Sequence, residues 1–233
     1  MSIEQVIESA SQIEGIRVRA SERMSRHTPL RVGGATDIWM VVDDVSALKS
    51  VLTIIRRAKL PWRLHWPFED WLVQDEGLDG VTIRPGSGFE WCEQAENHVR
   101  IGPATPWAAL PSLPEGWWSS LSHWPGTPGG LFASGEEVWI AGICATVKWL
   151  KGRQVFEVDV QPGESPPSLP PGAILLEVEL RPGLQTVREG RYHPPHSGML
   201  FRDPKGPSLD RSSGVTLANS GLLGTRLKNW QVS

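Results

Sequence analysis

Between Ile38 and Pro85 the spacing of apolar residues changes twice, and this restricts the segment to a layered α+β arrangement. Ile38 to Val42 is a continuous apolar strand. Asp44 then stands where it can cap a helix whose inner face is Val45, Leu48, Val51, Leu52 and Ile55, and Pro61 stops that helix. "WRLHW" and "WLVQ" read as strands, "DEGLDG" as a turn and "VTIRP" as another strand. "HTPLRVGG" supplies a preceding strand with a turn at Gly33–Gly34. The order strand–helix–strand–strand–strand over about residues 29 to 85 predicts one compact lobe. Upstream, Ser2 and Gln5 form a capping box, and Ile3, Val6, Ile7, Ala10 and Ile13 follow at helical spacing until Gly15. "GIRVRA" is the first strand.

From Gly86 the punctuation changes. Most of the 20 Pro and 24 Gly fall in the second half, which predicts short strands and many turns. "HVRIG", "GICATVKWL", "RQVFEVDV" and "AILLEVELRP" read as strands, with a hairpin across Lys151–Gly152 and one short helix in "PWAALPSL". After Gly183 the chain is polar and turn-rich. The expected organisation is a first lobe with its N-terminal helix at residues 1–85, a second at 86–183, and a small irregular remnant at 184–233.

Composition excludes several functions. The net charge is −3, and the one compact basic patch, Arg56–Arg57–Lys59, lies on the predicted helix, so no nucleic-acid footprint is expected. No apolar run approaches bilayer length and the N-terminus has no leader-like apolar core, so a cytoplasmic protein without membrane insertion is expected. Cys92 and Cys144 lack clustered ligands and read as ordinary buried thiols. "HPPH" (193–196) has HxxH spacing, but its prolines forbid a helix and no third ligand is near in sequence, so no metal site is expected. Asp75–Glu76 reads as a solvated turn. Twelve Trp against one Tyr is unusual, and core filling is the expected use of most of these rings.

Five stretches in register carry a resemblance: "HTPLRVGG" (27–34), "VQDEGLDGVTIRP" (73–85), "WPGTPGG" (124–130), "LPPGAILLEVELRP" (169–182) and "SGMLFRDP" (197–204). Together, over about residues 20 to 205, they resemble the family of UDP-N-acetylenolpyruvoylglucosamine reductase, the flavoenzyme of peptidoglycan precursor synthesis. The resemblance implies an α+β, two-lobe FAD-binding fold with a shortened substrate lobe.

It also implies departures at the sites. Where the family has a Gly-rich loop whose amides wrap the FAD pyrophosphate, this chain has Trp66, Pro67, Phe68, Glu69 and Asp70. Pro67 has no N–H to donate. The two acids would face a dianion, and like charges about 4 Å apart cost around 4 kcal/mol at an effective dielectric near 20. The expectation from these residues is a plugged loop and no bound cofactor, FAD being the alternative. Met199 stands at the family's proton-donor position and has no proton to give. "ESPPS" (164–168) stands where the family has its active-site arginine, and the family's catalytic glutamate would align beyond Ser233. If any ligand binds, the expected residues are Pro125, Gly126, Thr127, Gly129 and Gly130.

Three functions follow as expectations. One is a catalytically inactive scaffold with a protein partner in cell-wall synthesis or division. The second is an FAD-dependent oxidoreductase of the UDP-N-acetylmuramate dehydrogenase kind. The third is a nucleotide-sugar binding module.

Overall fold

The computed structural model describes residues 1–28, 30–69, 71–110, 126–135 and 137–181. The expected remnant at 184–233, with Met199 and the "HPPH" segment, therefore lies outside the described residues, as do Asp70 and Pro125. The described chain forms two compact units. One holds Met1–His65 and Glu69–Pro85; the other holds Trp66–Phe68 and the residues from Gly86.

The first unit opens with α1 (Ile3–Ser11), and both arms of its capping box are made: Gln5 N–H donates to the Ser2 hydroxyl and Ser2 N–H to Gln5 Oε1. A four-stranded sheet follows in the order β1-β2-β4-β3: β1 (Ile16–Arg23), β2 (Ala35–Val42), β3 (Trp62–Leu64) and β4 (Leu78–Pro85). β1 and β2 are antiparallel, whereas β4 is parallel to both β2 and β3. Between β2 and β3 runs α2 (Val45–Ala58), capped by Asp44, with Ala47, Leu48, Val51, Leu52 and Ile55 buried. Lys59 ends it in the left-handed conformation.

Two expected strands are absent. Among the described residues of this stretch, His27, Thr28, Leu30, Arg31 and Val32, none is in a strand, and Thr28 Oγ1 donates to the Val32 carbonyl. "WLVQ" makes one isolated bridge at Trp71. Trp71, Leu72 and Val73 are buried in succession, with no alternation to place one face outward. Trp71 and Val73 join Met24, Trp39 and Leu78 in one apolar cluster.

The second unit is a five-stranded sheet in the order β5-β6-β9-β7-β8: β5 (Cys92–Gln94), β6 (Val99–Ile101), β7 (Cys144–Lys151), β8 (Gln154–Asp159) and β9 (Ala173–Leu180). All its pairings are antiparallel. The expected hairpin across Lys151–Gly152 joins β7 and β8, and β8 is exposed along its whole length. A short helix, α3 (Pro128–Ala133), lies on this unit. The predicted helix in "PWAALPSL" is a single tight turn at Trp107–Ala109 among the described residues.

Candidate functional site

The segment from His65 to Trp71 leaves the C-terminal end of β3. His65 N–H donates to the Ile83 carbonyl and carries the pairing one residue past the strand. Its ring is buried, as are Trp66 and Pro67. Phe68 is the turn's tip: 63% exposed, with a left-handed φ of 64° that a bulky residue seldom adopts. Glu69 is half-buried and its carbonyl accepts from Trp71 N–H.

Trp66, only 3% exposed, packs against Gly129. A Cβ added at Gly129 would lie 2.3–2.7 Å from the indole ring, so this glycine is required by the aromatic. Gly129 sits in the first turn of α3, which the buried Thr127 caps through its hydroxyl to Gly130 N–H at 3.2 Å. Gly129 N–H donates to the Pro103 carbonyl and Leu131 N–H to the Thr127 carbonyl. Gly126 is different. Its φ is 84° and a Cβ there would meet nothing within 4 Å.

These observations test how a pyrophosphate would be held. The amides of Gly129, Gly130 and Leu131 are used internally, and an indole covers Gly129. Gly126, unlike Gly129, has open space where a Cβ would stand.

A second cluster belongs to the first unit. Glu22 is buried, and its Oε1 lies 3.0 Å from His27 Nε2, with Arg19 and Arg26 at 3.4 and 3.6 Å. His27 stacks on Trp39 with ring centroids 4.0 Å apart, and Trp39, His65 and Trp71 continue the line of rings. Burial pushes the Glu22 carboxyl up, but the His27 hydrogen bond and the nearby positive charges outweigh it and leave it below the ordinary carboxylate range. Burial lowers His27 against the pull of Glu22. Both groups thus bind protons less readily when folded. Their contribution to stability is present above about pH 6.5 for the imidazole and about pH 4.3 for the carboxyl. It is lost as pH falls through the lower folded values. Thermal unfolding followed from pH 7.5 to 5 should show Tm falling, and His27→Gln should flatten the upper part of that slope.

Sequence reasoning missed this cluster, because a His five residues from a Glu carries no recognisable spacing. It also missed the ion network of the second sheet. Arg100 holds Glu177 in a two-pronged pair, both contacts 2.8 Å, reaches Glu93 at 2.9 Å, and lies over the Trp91 ring; Lys148 adds a second cation to Glu177. Only strand register brings these side chains together. Cys144 is buried and its thiol is pushed up to about 12, mainly by desolvation, which makes it inert. Asp75 and Glu76 occupy an exposed turn closed by Gly77 N–H to the Gln74 carbonyl. Among the described residues no group of three or more His, Cys, Asp or Glu is placed to hold a metal ion, and no helix is long and apolar enough to cross a membrane.

No family model matches the chain. Individual relatives do. It is 23% identical over 259 residues to UDP-N-acetylenolpyruvoylglucosamine reductase 1 of Bacillus cereus, covering 99% of this chain and 85% of the relative. It is 24% identical to the Bacillus subtilis UDP-N-acetylenolpyruvoylglucosamine reductase, covering 99% and 84%. Among solved structures, a Phl p 4 variant described as a glucose oxidase superposes with a TM-score of 0.51 at 11% identity, covering 78% of this chain and 44% of that one. The last likeness speaks for the fold alone, an α+β fold of the two-lobe FAD-binding type.

These relatives correct one expectation. Absence of a cofactor was inferred from five residues, 66 to 70, whereas the similarity to reductases extends over nearly all of the chain. FAD, which the family resemblance implies, is the better-supported cofactor. A bulky loop alters how a phosphate would be held, and this is too narrow a ground for removing the cofactor. By sequence the chain is a homologue of the UDP-N-acetylenolpyruvoylglucosamine reductases.

Proposed function

We propose that the chain is an FAD-binding protein of the oxidoreductase type, related to the reduction of an enolpyruvyl nucleotide sugar. The observation that carries this reading is the collinear similarity to reductases over 99% of its length. FAD would supply hydride transfer. The part of the chain's own residues is to bind and orient, and Gly126, with its open face, is the described candidate for close approach of backbone to ligand.

A second reading keeps the flavin and drops the turnover. Met199 stands where the relatives' family places a proton donor, and "ESPPS" offers no arginine. Such a protein would act through a partner, in keeping with a scaffold role in cell-wall synthesis. One experiment separates the two. The purified chain is reconstituted with FAD and assayed for NADPH oxidation dependent on the enolpyruvyl nucleotide sugar. Substrate-dependent oxidation supports the reductase, retained flavin without it supports the second reading, and no flavin uptake overturns both.

A further inference from the structure

The first unit holds a cavity of about 620 Å³, lined among others by Arg23, Ser25, Arg31, Gly33, Gly34 and Asp75. It lies at the end of the first unit's sheet where β2 and β4 begin, opposite the end at which β3 stops. β2 begins at Ala35, level with the start of β4 through Thr36↔Leu78, whereas β3 leaves the sheet at Leu64, level with Ile83. The cavity is therefore at the opposite end of this sheet from His65, which follows β3.

Three observations assign it a ligand class. Its volume falls within the roughly 300–1,000 Å³ of small-molecule sites. Two arginines line it against one acidic residue, Asp75. On the same stretch of chain Arg17, Arg19 and Arg26 are taken up by Asp43 and Glu22, whereas Arg23 and Arg31 make no ion pair among the described residues. Among the described residues, the two arginines that line the cavity are thus the ones without a carboxylate partner.

The wall is also built stiffly. Arg23 is register-locked opposite Ala35. Met24 N–H donates to the Gly34 carbonyl and Gly34 N–H to the Gln74 carbonyl. A side chain at Gly34 would strike the Asp75 carbonyl at 2.1 Å. Arg31 is held in the left-handed region at φ 54°, an unfavourable conformation for arginine that the surrounding turn imposes. Two arginines lining one cavity, Arg23 at the end of β1 and Arg31 beyond it, suit the oxygens of a phosphoryl group, which arginine can engage through two parallel N–H donors.

We propose that this cavity is a binding site for the phosphate or pyrophosphate group of a small phosphorylated ligand. The site is independent of the FAD reading. The test is calorimetric titration of the folded full chain with inorganic pyrophosphate, on wild type, Arg23→Gln, Arg31→Gln and the double variant. Both side chains are exposed, so the variants should fold, which unfolding midpoints within a few degrees of wild type would verify. Saturable binding is expected, weakened about tenfold or more by either change, abolished by both, and reduced by added salt. FAD retention should be the same in all four proteins, so failure here is distinguishable from failure of the flavin reading. Absence of saturable binding to wild type, or equal affinity in the double variant, would overturn the proposal.

Discussion

Trp66→Ala is expected to lower the free energy of unfolding by about 3–5 kcal/mol. The side chain is 3% exposed, and its ring covers the Gly129 backbone closely enough that even a methyl group there would collide with it. Truncation leaves an indole-sized void beside α3, and the hydrogen bonds that fix Gly129 and Gly130 prevent that turn from collapsing inward. Phe68→Ala is the control from the same segment. Its ring is 63% exposed, so its removal should change stability by no more than about 0.5 kcal/mol. Urea denaturation of the two variants measures the difference. Equal effects would mean that Trp66 is not packed as described.

Gly77→Ala is expected to cost roughly 3 kcal/mol or more, from two terms that add. The residue has φ 82°, where an L side chain costs about 1–2 kcal/mol. Its Cβ would also lie 1.9 Å from the Ala35 carbonyl oxygen, and backbone cannot move aside as a flexible side chain does. Ala35 opens β2 and Leu78 opens β4, so relieving the clash would disturb the parallel pairing between them. Gly126→Ala provides the contrast: it carries the φ cost, at 84°, but meets no atom within 4 Å. Circular dichroism melts of both variants should show the larger fall in Tm for Gly77→Ala.

Much of the first unit was legible because local signals agreed with the global arrangement. The capping box at Ser2, the cap at Asp44, the buried stripe of α2 and the apolar strands on either side of it each point to the same elements. Reading failed where an apolar run had more than one explanation. Trp71–Leu72–Val73 is as apolar as a strand, but those residues are buried as irregular chain, and period alone cannot separate the two. In β8, Val155, Phe156 and Val158 lie exposed at the sheet edge, with Phe156 stacked on Trp149. The site was harder to read. Contacts such as His27 with Trp39, or Arg100 with Glu177, arise from turn geometry and strand register between residues that no motif links.

The loop at 66–70 shows why local chemistry alone misjudged the cofactor. Trp66 and Pro67 are buried and Phe68 projects outward, so its aromatic residues do not act as one block. Glu69 is half-buried within the first unit. A change of residues in one loop alters how a phosphate could be contacted there and is too narrow a ground for excluding a flavin.

The most direct measurement is the visible absorption spectrum of the purified, FAD-reconstituted protein after unbound flavin has been removed by gel filtration, with the released flavin quantified on denaturation. Near-stoichiometric flavin, carrying absorption bands perturbed from those of free FAD, is the predicted result. A colourless protein that takes up no FAD under conditions where it remains folded would contradict the account.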